Sequence, residues 1–289
     1  MRTIENKTCS FSGKYKIITQ RSSVAENWRY GFLFGKEGER VMGEKVISAV
    51  VLVGGNYDKE LLKRCLDSLS WTDEIVRVET DGISGSFSEW RNTGANKAVG
   101  NWLFYVDSDE YVTPELKNEI FLAINYKRSL ALRAQPLAIS AFAVPRSNIL
   151  LGRQMRWGGW WPDYVVRLIK KDALIKWEGE LHEQPEIRGS IGKLKNPLIH
   201  ISHRSLTEMV DKTNKWSEIE AELLFKSGHP KMNVARFLSS GFREFWYRGI
   251  RKLGFLDGTV GIIEVFYQTY SRLITYAKLW EKQQSVIRI

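Results

Sequence analysis

The strongest constraint on the fold is a rhythm that begins at Val46. VISAVVLV (Val46–Val53) is an unbroken apolar run rich in β-branched residues, the pattern of a strand buried on both faces. Gly54-Gly55-Asn56 interrupts it, and Leu61, Leu62, Cys65, Leu66 and Leu69 then recur at helical spacing. EIVRV (Glu74–Val78) repeats the strand signal and runs into the acidic turn Glu79-Thr80-Asp81-Gly82. A helix is expected across SEWRNTGANKAVG, with Ser88 as cap and Gly100 as stop. WLFYV (Trp102–Val106) is a third strand, and TPELKNEIFLAIN opens another helix with Thr113 as cap and Pro114 in its first turn. Strands alternating with helices require parallel strands joined by right-handed crossovers, an α/β fold. Ligands bind such sheets at the carboxyl ends of the strands. Three of those ends carry polar or acidic groups here: Gly54-Gly55-Asn56, Glu79-Thr80-Asp81 and Asp107-Ser108-Asp109.

Past about residue 139 the pattern changes. ISAFAVPR, DYVVRLI and PLIHIS are expected as further strands, separated by RWGGWWPD and WEGELHEQ. After about residue 205 the chain is expected to be helical to its end. Before Val46, KYKIIT suggests a short strand and YGFLFGKEGERV a hairpin, with no function assigned. The chain therefore divides into an N-terminal extension (1–44), an α/β unit (45–204) and a C-terminal helical region (205–289).

A hydrophobic fraction of 43% with 11 Trp excludes a disordered chain. The net charge of +10 favours anionic partners. Lys and Arg are spread through the sequence without a stripe or binding motif, so nucleic acid is not an expected partner. The two cysteines, Cys9 and Cys65, form neither a disulfide framework nor a zinc-ligand spacing. No signal-peptide core and no run of about 18 apolar residues is seen. The expected setting is cytoplasmic, with possible attachment to the inner face of the cell membrane. The helical stretch VGIIEVFYQTYSRLITYAKLW has an aromatic and basic character suited to an anionic membrane surface.

The chemistry centres on WLFYVDSDEYVTPEL. An apolar strand stops on Asp107, Asp109 and Glu110. Two carboxylates one residue apart can converge on a hard cation, which such sites hold together with substrate phosphates, and a cation so held neutralises a departing diphosphate. A solvated turn capping the Thr113 helix accounts equally for the tripeptide alone; the two other polar strand ends favour a site.

On these residues FSEWRNTGANKAVGNWLFYVDSDEYVTPEL resembles the heart of family-2 glycosyltransferases. With WWPDYVVRLIKKD, GELHEQP, PLIHISHRSL and KLGFLDGTVGIIEVFYQTY it is similar, more narrowly, to the lipopolysaccharide-core glucosyltransferase subgroup, over roughly residues 46–282. The resemblance implies a GT-A fold with a C-terminal helical extension. It also implies inverting transfer from a UDP-glucose-like nucleotide sugar to a hydroxyl of a lipopolysaccharide or lipid-linked glycan, with Mg²⁺ or Mn²⁺ as cofactor. By position it implies Asp109 as metal ligand and Asp107 as ligand of the metal or the donor ribose. Glu79 and Asp81 stand near the nucleobase and ribose, Arg91 and Asn92 line the donor pocket, and Asn56 is grouped with these donor contacts. Glu183 is the candidate base, opposite the leaving group. Asp163 is its rival, and His182 would orient Glu183 or bind phosphate. His200 and His203 could supply a further metal ligand or simply pack. Trp157, Trp160 and Trp161 suit either sugar stacking or the core. The chain departs from the family where Glu79-Thr80-Asp81-Gly82 leads almost directly to Phe87-Ser88-Glu89: a strand-helix piece is missing there.

Three other readings compete. A haloacid-dehalogenase-type phosphatase also places Asp-x-Asp after an apolar strand, but on the first strand of its domain. A sugar nucleotidyltransferase would carry a Gly-rich phosphate loop near its start. A basic nucleic-acid-binding module would bind in a salt-sensitive manner without needing Asp109.

Overall fold

A computed structural model describes residues 46–54, 57–82, 84–130, 139–180 and 183–285. The expected strand and hairpin before Val46 lie outside the described residues. Three strands and two crossover helices open the fold: β1 (Ile47–Val53), α1 (Lys59–Ser68), β2 (Glu74–Glu79), α2 (Phe87–Lys97) and β3 (Trp102–Asp107). β1 pairs in parallel with both β2 and β3. Every residue of β1 is buried, and the period of two explains why it needs no polar face. Ile47, Ala49, Val51 and Val53 enter one core with Leu62 and Cys65 of α1 and with Leu69 just past its end. Val50 and Leu52 enter the other with Ala95 of α2.

The chain continues through β4 (Glu110–Val112), α3 (Pro114–Leu130), β5 (Ile139–Leu150), β6 (Arg153–Gln154), β7 (Asp163–Lys170), β8 (Leu174–Glu178), β9 (Gln184–Ile187), β10 (Ser190–Lys193) and β11 (Leu198–His203). Among the described residues, nine strands form one mixed sheet ordered β2-β1-β3-β7-β5-β11-β4, with β6 and β10 also on β5, and β8-β9 form a separate ribbon. The α/β class expected from the sequence is thus present, with helices on both faces. From Leu206 the chain is helical: α4 (Leu206–Lys226), α5 (Val234–Phe245), a π-turn over Trp246–Arg251, a 3₁₀ turn over Gly254–Asp257, and α6 (Gly258–Ser285). Among the described residues no helix is long and apolar enough to cross a membrane.

Two helix boundaries differ from expectation. The cap of α2 is Ser86, which with Glu89 makes a reciprocal capping box; Ser88, the expected cap, lies inside the helix and is buried. The helix also ends before Gly100. That glycine instead lets the loop into β3 press on β1, since a Cβ there would meet Ser48 N at 2.7 Å. Thr113 caps α3 as expected, accepting from Leu116 N at 3.2 Å. The β2-to-α2 connection is as short as the sequence implies, with α2 beginning at Phe87 and no element assigned between the two.

Candidate active site

The register of the parallel strands brings their carboxyl ends level. Val53 pairs with Glu79, and Leu52 with Asp107. Gly54 is required where β1 ends, because a Cβ would stand 1.7 Å from Thr80 Oγ1. Thr80 N donates back to Val53 O at 2.8 Å, so the first two strand ends are stitched together. Two strand spacings, roughly 10 Å, separate Glu79 from Asp107. Glu79 accepts from Arg77 at 2.7 Å in an exposed pair worth little to stability. Asp81 lies in the exposed turn beyond it. Asn56 and His182 lie outside the described residues.

At Asp107 the sheet edge opens into a chain of alternating charges. Asp107 Oδ1 accepts from Arg91 Nη2 at 2.8 Å, and Oδ2 accepts from Arg167 Nη2. Arg91 Nε also donates to Glu183 Oε1 at 3.0 Å. Arg167 Nη2 donates to Glu110 Oε1 at 2.9 Å, while Glu110 Oε2 accepts the Asp107 backbone N–H at 2.9 Å. Arg146 Nη1 lies 3.8 Å from Glu110, and its Nε and Nη2 both donate to Asp163 Oδ2, at 3.0 and 2.6 Å. The sequence of groups is Glu183, Arg91, Asp107, Arg167, Glu110, Arg146, Asp163. α2 supplies Arg91, β3 Asp107, β4 Glu110, β5 Arg146 and β7 both Asp163 and Arg167. Neighbouring strands meet at one edge, so residues distant in sequence become neighbours in space.

Burial makes these pairs consequential. Arg91, Arg167 and Glu110 are 2%, 4% and 1% exposed. Burial alone would raise the Asp107 carboxyl, but the Arg167 and Arg91 guanidiniums outweigh it and hold the group well below the usual carboxylate range. Glu110 goes the other way: its burial dominates and raises it, with Asp107 adding to the rise against the pull of Arg167. Two N–H groups in the middle of the chain, Arg91 Nη1 and Arg167 Nε, are buried without a partner among the described residues. Leaving such a donor unpaired costs about 1–3 kcal/mol.

A second arm reaches Asp109. Asn148 Nδ2 donates to Trp160 O at 3.1 Å and lies 3.4 Å from Asp163 Oδ2. Its amide is thereby oriented, and Oδ1 faces His200 Nδ1 at 2.7 Å. His200 Nδ1 is then the donor to that amide oxygen, and its Nε2 lies 3.5 Å from Asp109 Oδ2. Asp109 is one-third exposed, and its carbonyl anchors the turn by accepting Ile201 N–H at 2.9 Å. Among the described residues no three His, Cys, Asp or Glu side chains converge. A divalent ion here would fit as a guest of Asp109 and His200, completed by ligand oxygens. Asp107, by contrast, has an arginine on each carboxylate oxygen.

Comparisons with known proteins place this geometry in context. No protein-family model matches the chain. Over 244 residues it is 24% identical to the uncharacterized glycosyltransferase RP128 of Rickettsia prowazekii (strain Madrid E), covering 75% of this chain and 82% of that protein. Crystal structures of S. aureus TarS 1-349 are similar at a TM-score of 0.38 for the UDP-GlcNAc complex, with 13% identity over 83% of this chain and 92% of that one. The UDP complex gives 0.37, with 12% identity over 83% and 91%. Against a further S. aureus TarS structure the TM-score is 0.36 at 12% identity, over 81% of this chain but 54% of the other, so the chain spans about half of that molecule. At such TM-scores the backbones agree over only part of their course, and the likeness carries neither fold nor ligand to this chain.

Of the residues singled out in the sequence, Arg91, Asp107, Asp163 and Glu183 join one network and Asp109 lies beside it. Asn92 faces elsewhere: its amide donates to Trp177 O at 3.0 Å and accepts from Trp177 N at 2.8 Å, bolting α2 to β8. Asn92→Ala should therefore lower unfolding free energy by about 1–3 kcal/mol, read from the urea midpoint, as two backbone groups lose their partner. Sequence reasoning missed Arg146, Arg167 and Asn148. The signal was present in YVVRLI and FAVPRSNIL: a charge inside an apolar strand must find a buried partner.

Proposed function

We propose that this chain transfers a glycosyl group from a nucleoside-diphosphate sugar to an acceptor hydroxyl, with inversion. The observation that carries the reading is the placing of Glu183 on the same buried arginine as Asp107, at the carboxyl edge of the parallel strands. The RP128 relative bears the name glycosyltransferase, which supports it. Asp107 holds Arg91 and Arg167 rigid, so their positive charge is preorganised beside the place where a departing diphosphate gains negative charge. Arg91 occupies only Oε1 of Glu183, and Oε2 would take the acceptor proton as the acceptor oxygen bonds to the anomeric carbon. The bond from that carbon to the diphosphate oxygen breaks, and the nucleoside diphosphate leaves with the electron pair. Asp163, doubly held by Arg146, is the reserve base or a ligand for acceptor hydroxyls. A divalent cation, Mg²⁺ or Mn²⁺, would be held by Asp109 and His200, and would supply further charge against the leaving diphosphate. Glu79 and Asp81 would face the nucleoside. The donor is read as UDP-glucose-like and the acceptor as a lipopolysaccharide or lipid-linked glycan hydroxyl, from the resemblance of the motifs.

A panel of nucleotide sugars with Mg²⁺ or Mn²⁺ tests this through released nucleoside diphosphate and thermal shift. At least one nucleotide sugar should raise the melting temperature in a metal-dependent way. Asp109→Ala should remove that shift while leaving the melting temperature of the unliganded protein within a few degrees. If no nucleotide sugar binds, or if Asp109→Ala binds as well as the parent, the reading fails.

A further inference from the structure

The C-terminal helices present an apolar surface that no described element covers. On α5, Val234, Leu238 and Phe242 recur every fourth residue at 75%, 63% and 64% exposure, one stripe along the helix. The adjoining flank, where Ser240 and Gly241 are buried, packs on α6, and Gly241 admits Leu273 so closely that a Cβ would lie 2.9 Å from it. The stripe continues into the π-turn with exposed Trp246, Tyr247 and Ile250, then Leu253 and Leu256. Phe242 and Trp246 stack at 6.1 Å with an interplanar angle of 27°.

The charge around this stripe has one sign. Between residues 231 and 256 stand Lys231, Arg236, Arg243, Arg248, Arg251 and Lys252, against Glu244 alone. Glu244 is turned inward, paired with Arg248 at 2.5 Å and facing Arg272 at 3.7 Å. Lys231, Arg236, Arg243, Arg251 and Lys252 are all exposed. A soluble partner's apolar patch would need no such surround, whereas an interface between acyl chains and anionic headgroups asks for both features together.

The same surface leads to the site. Gly158 N donates to Lys252 O at 2.9 Å, and Arg248 Nη1 donates to Gly158 O at 3.2 Å. Asp257 accepts from Trp157 N at 2.7 Å. These bonds fix the loop carrying Trp157 and Trp161, which are 41% and 40% exposed, beside the π-turn. Asp163 follows Trp161 by two residues.

We infer that α5 and the π-turn form a docking face for an anionic lipid surface, with Trp157 and Trp161 at its rim, so that the mouth of the Asp163 arm opens at headgroup level. The inference does not rest on the glycosyl-transfer reading, because lipid binding requires no turnover. The purified full chain should co-sediment with phosphatidylcholine vesicles containing phosphatidylglycerol at least about tenfold more tightly than with phosphatidylcholine alone. Phe242→Glu combined with Trp246→Glu should weaken that binding by at least about tenfold while leaving the melting temperature unchanged. Should that pair impair folding, Arg243→Glu with Arg251→Glu, both at exposed positions, should abolish the preference for anionic vesicles. Equal binding to both vesicle types, undiminished binding by the variants, or no vesicle binding would overturn the inference. So would a dimer in lipid-free sedimentation velocity that the Phe242→Glu/Trp246→Glu variant dissolves, since the face would then serve a second copy of the chain. Failure of nucleotide-sugar binding would leave these outcomes unaffected.

Discussion

Glu183→Gln should lower kcat for sugar transfer by about 10²–10⁴-fold, the usual contribution of a positioned base, while donor affinity stays within a few-fold of the parent. Glutamine keeps a carbonyl oxygen to accept from Arg91 Nε, now 3.0 Å from Glu183 Oε1, but it cannot take a proton. The split between turnover and donor binding separates this role from a structural one. If Glu183 merely neutralised Arg91, the variant would lose stability and donor binding together. If it retained parental turnover, the base would be sought at Asp163. Asp163→Asn is the matched control. Its carboxylate accepts twice from Arg146, at 3.0 and 2.6 Å, so its loss should disturb the Arg146 arm as well as turnover.

Arg167→Met should be the most destabilising substitution in the site, by about 3–5 kcal/mol near neutral pH. The guanidinium is 4% exposed and neutralises both Asp107 and the fully buried Glu110. Asp107 retains Arg91 at 2.8 Å in the variant; the arginine left near Glu110 is Arg146, more distant at 3.8 Å. The deficit should therefore depend on pH with a definite sign. Burial already raises Glu110 above its ordinary value of 4.5 even with Arg167 pulling it down. Without Arg167 it rises further. A group raised in the folded state adds stability below its unfolded value and loses that contribution as pH climbs through the folded one. The variant's deficit against the parent should thus be smallest at acid pH and should widen as pH climbs past the already raised Glu110 value of the parent. Adding Glu110→Gln should recover part of the loss at neutral pH and flatten the profile. Urea unfolding of the parent, single and double variants across pH would show this. A deficit independent of pH, or no recovery in the double variant, would mean that Arg167 acts through packing alone.

These expectations depend on a network that the sequence showed only in pieces. WLFYVDSDEYV was readable because a strand buried on both faces and a stop on acids are local patterns. The segment supplied Asp107 and Asp109 at a carboxyl edge, and the register confirms that edge, with Leu52 opposite Asp107 and Val53 opposite Glu79. Taken locally, Glu110 belongs with the turn and Thr113 with the next helix. Thr113 does cap α3. Glu110 does more than hold the turn, because β4 pairs with β11 and carries its side chain under Arg167 and Arg146. Nothing local to DSDEYV indicates that. Asn92 shows the reverse limit: it sits one residue from Arg91, yet helical geometry turns it to β8, away from the acids.

What the sequence by itself determined was therefore the part governed by short-range periodicity. That covers the α/β class, the parallel opening strands, the shortened connection between β2 and α2, and the arrival of Asp107 and Asp109 at one sheet edge. Tertiary structure alone decided the partners. Burial in β5 and β7 forces Arg146 and Arg167 to seek carboxylates, and the sheet order β3-β7-β5-β11 puts those carboxylates within reach. The strand WLFYV would end on acids in any fold. Only the pairing of β7 with β3 adds Arg167 to Arg91 on Asp107, and only the pairing of β11 with β4 sets His200 3.5 Å from Asp109.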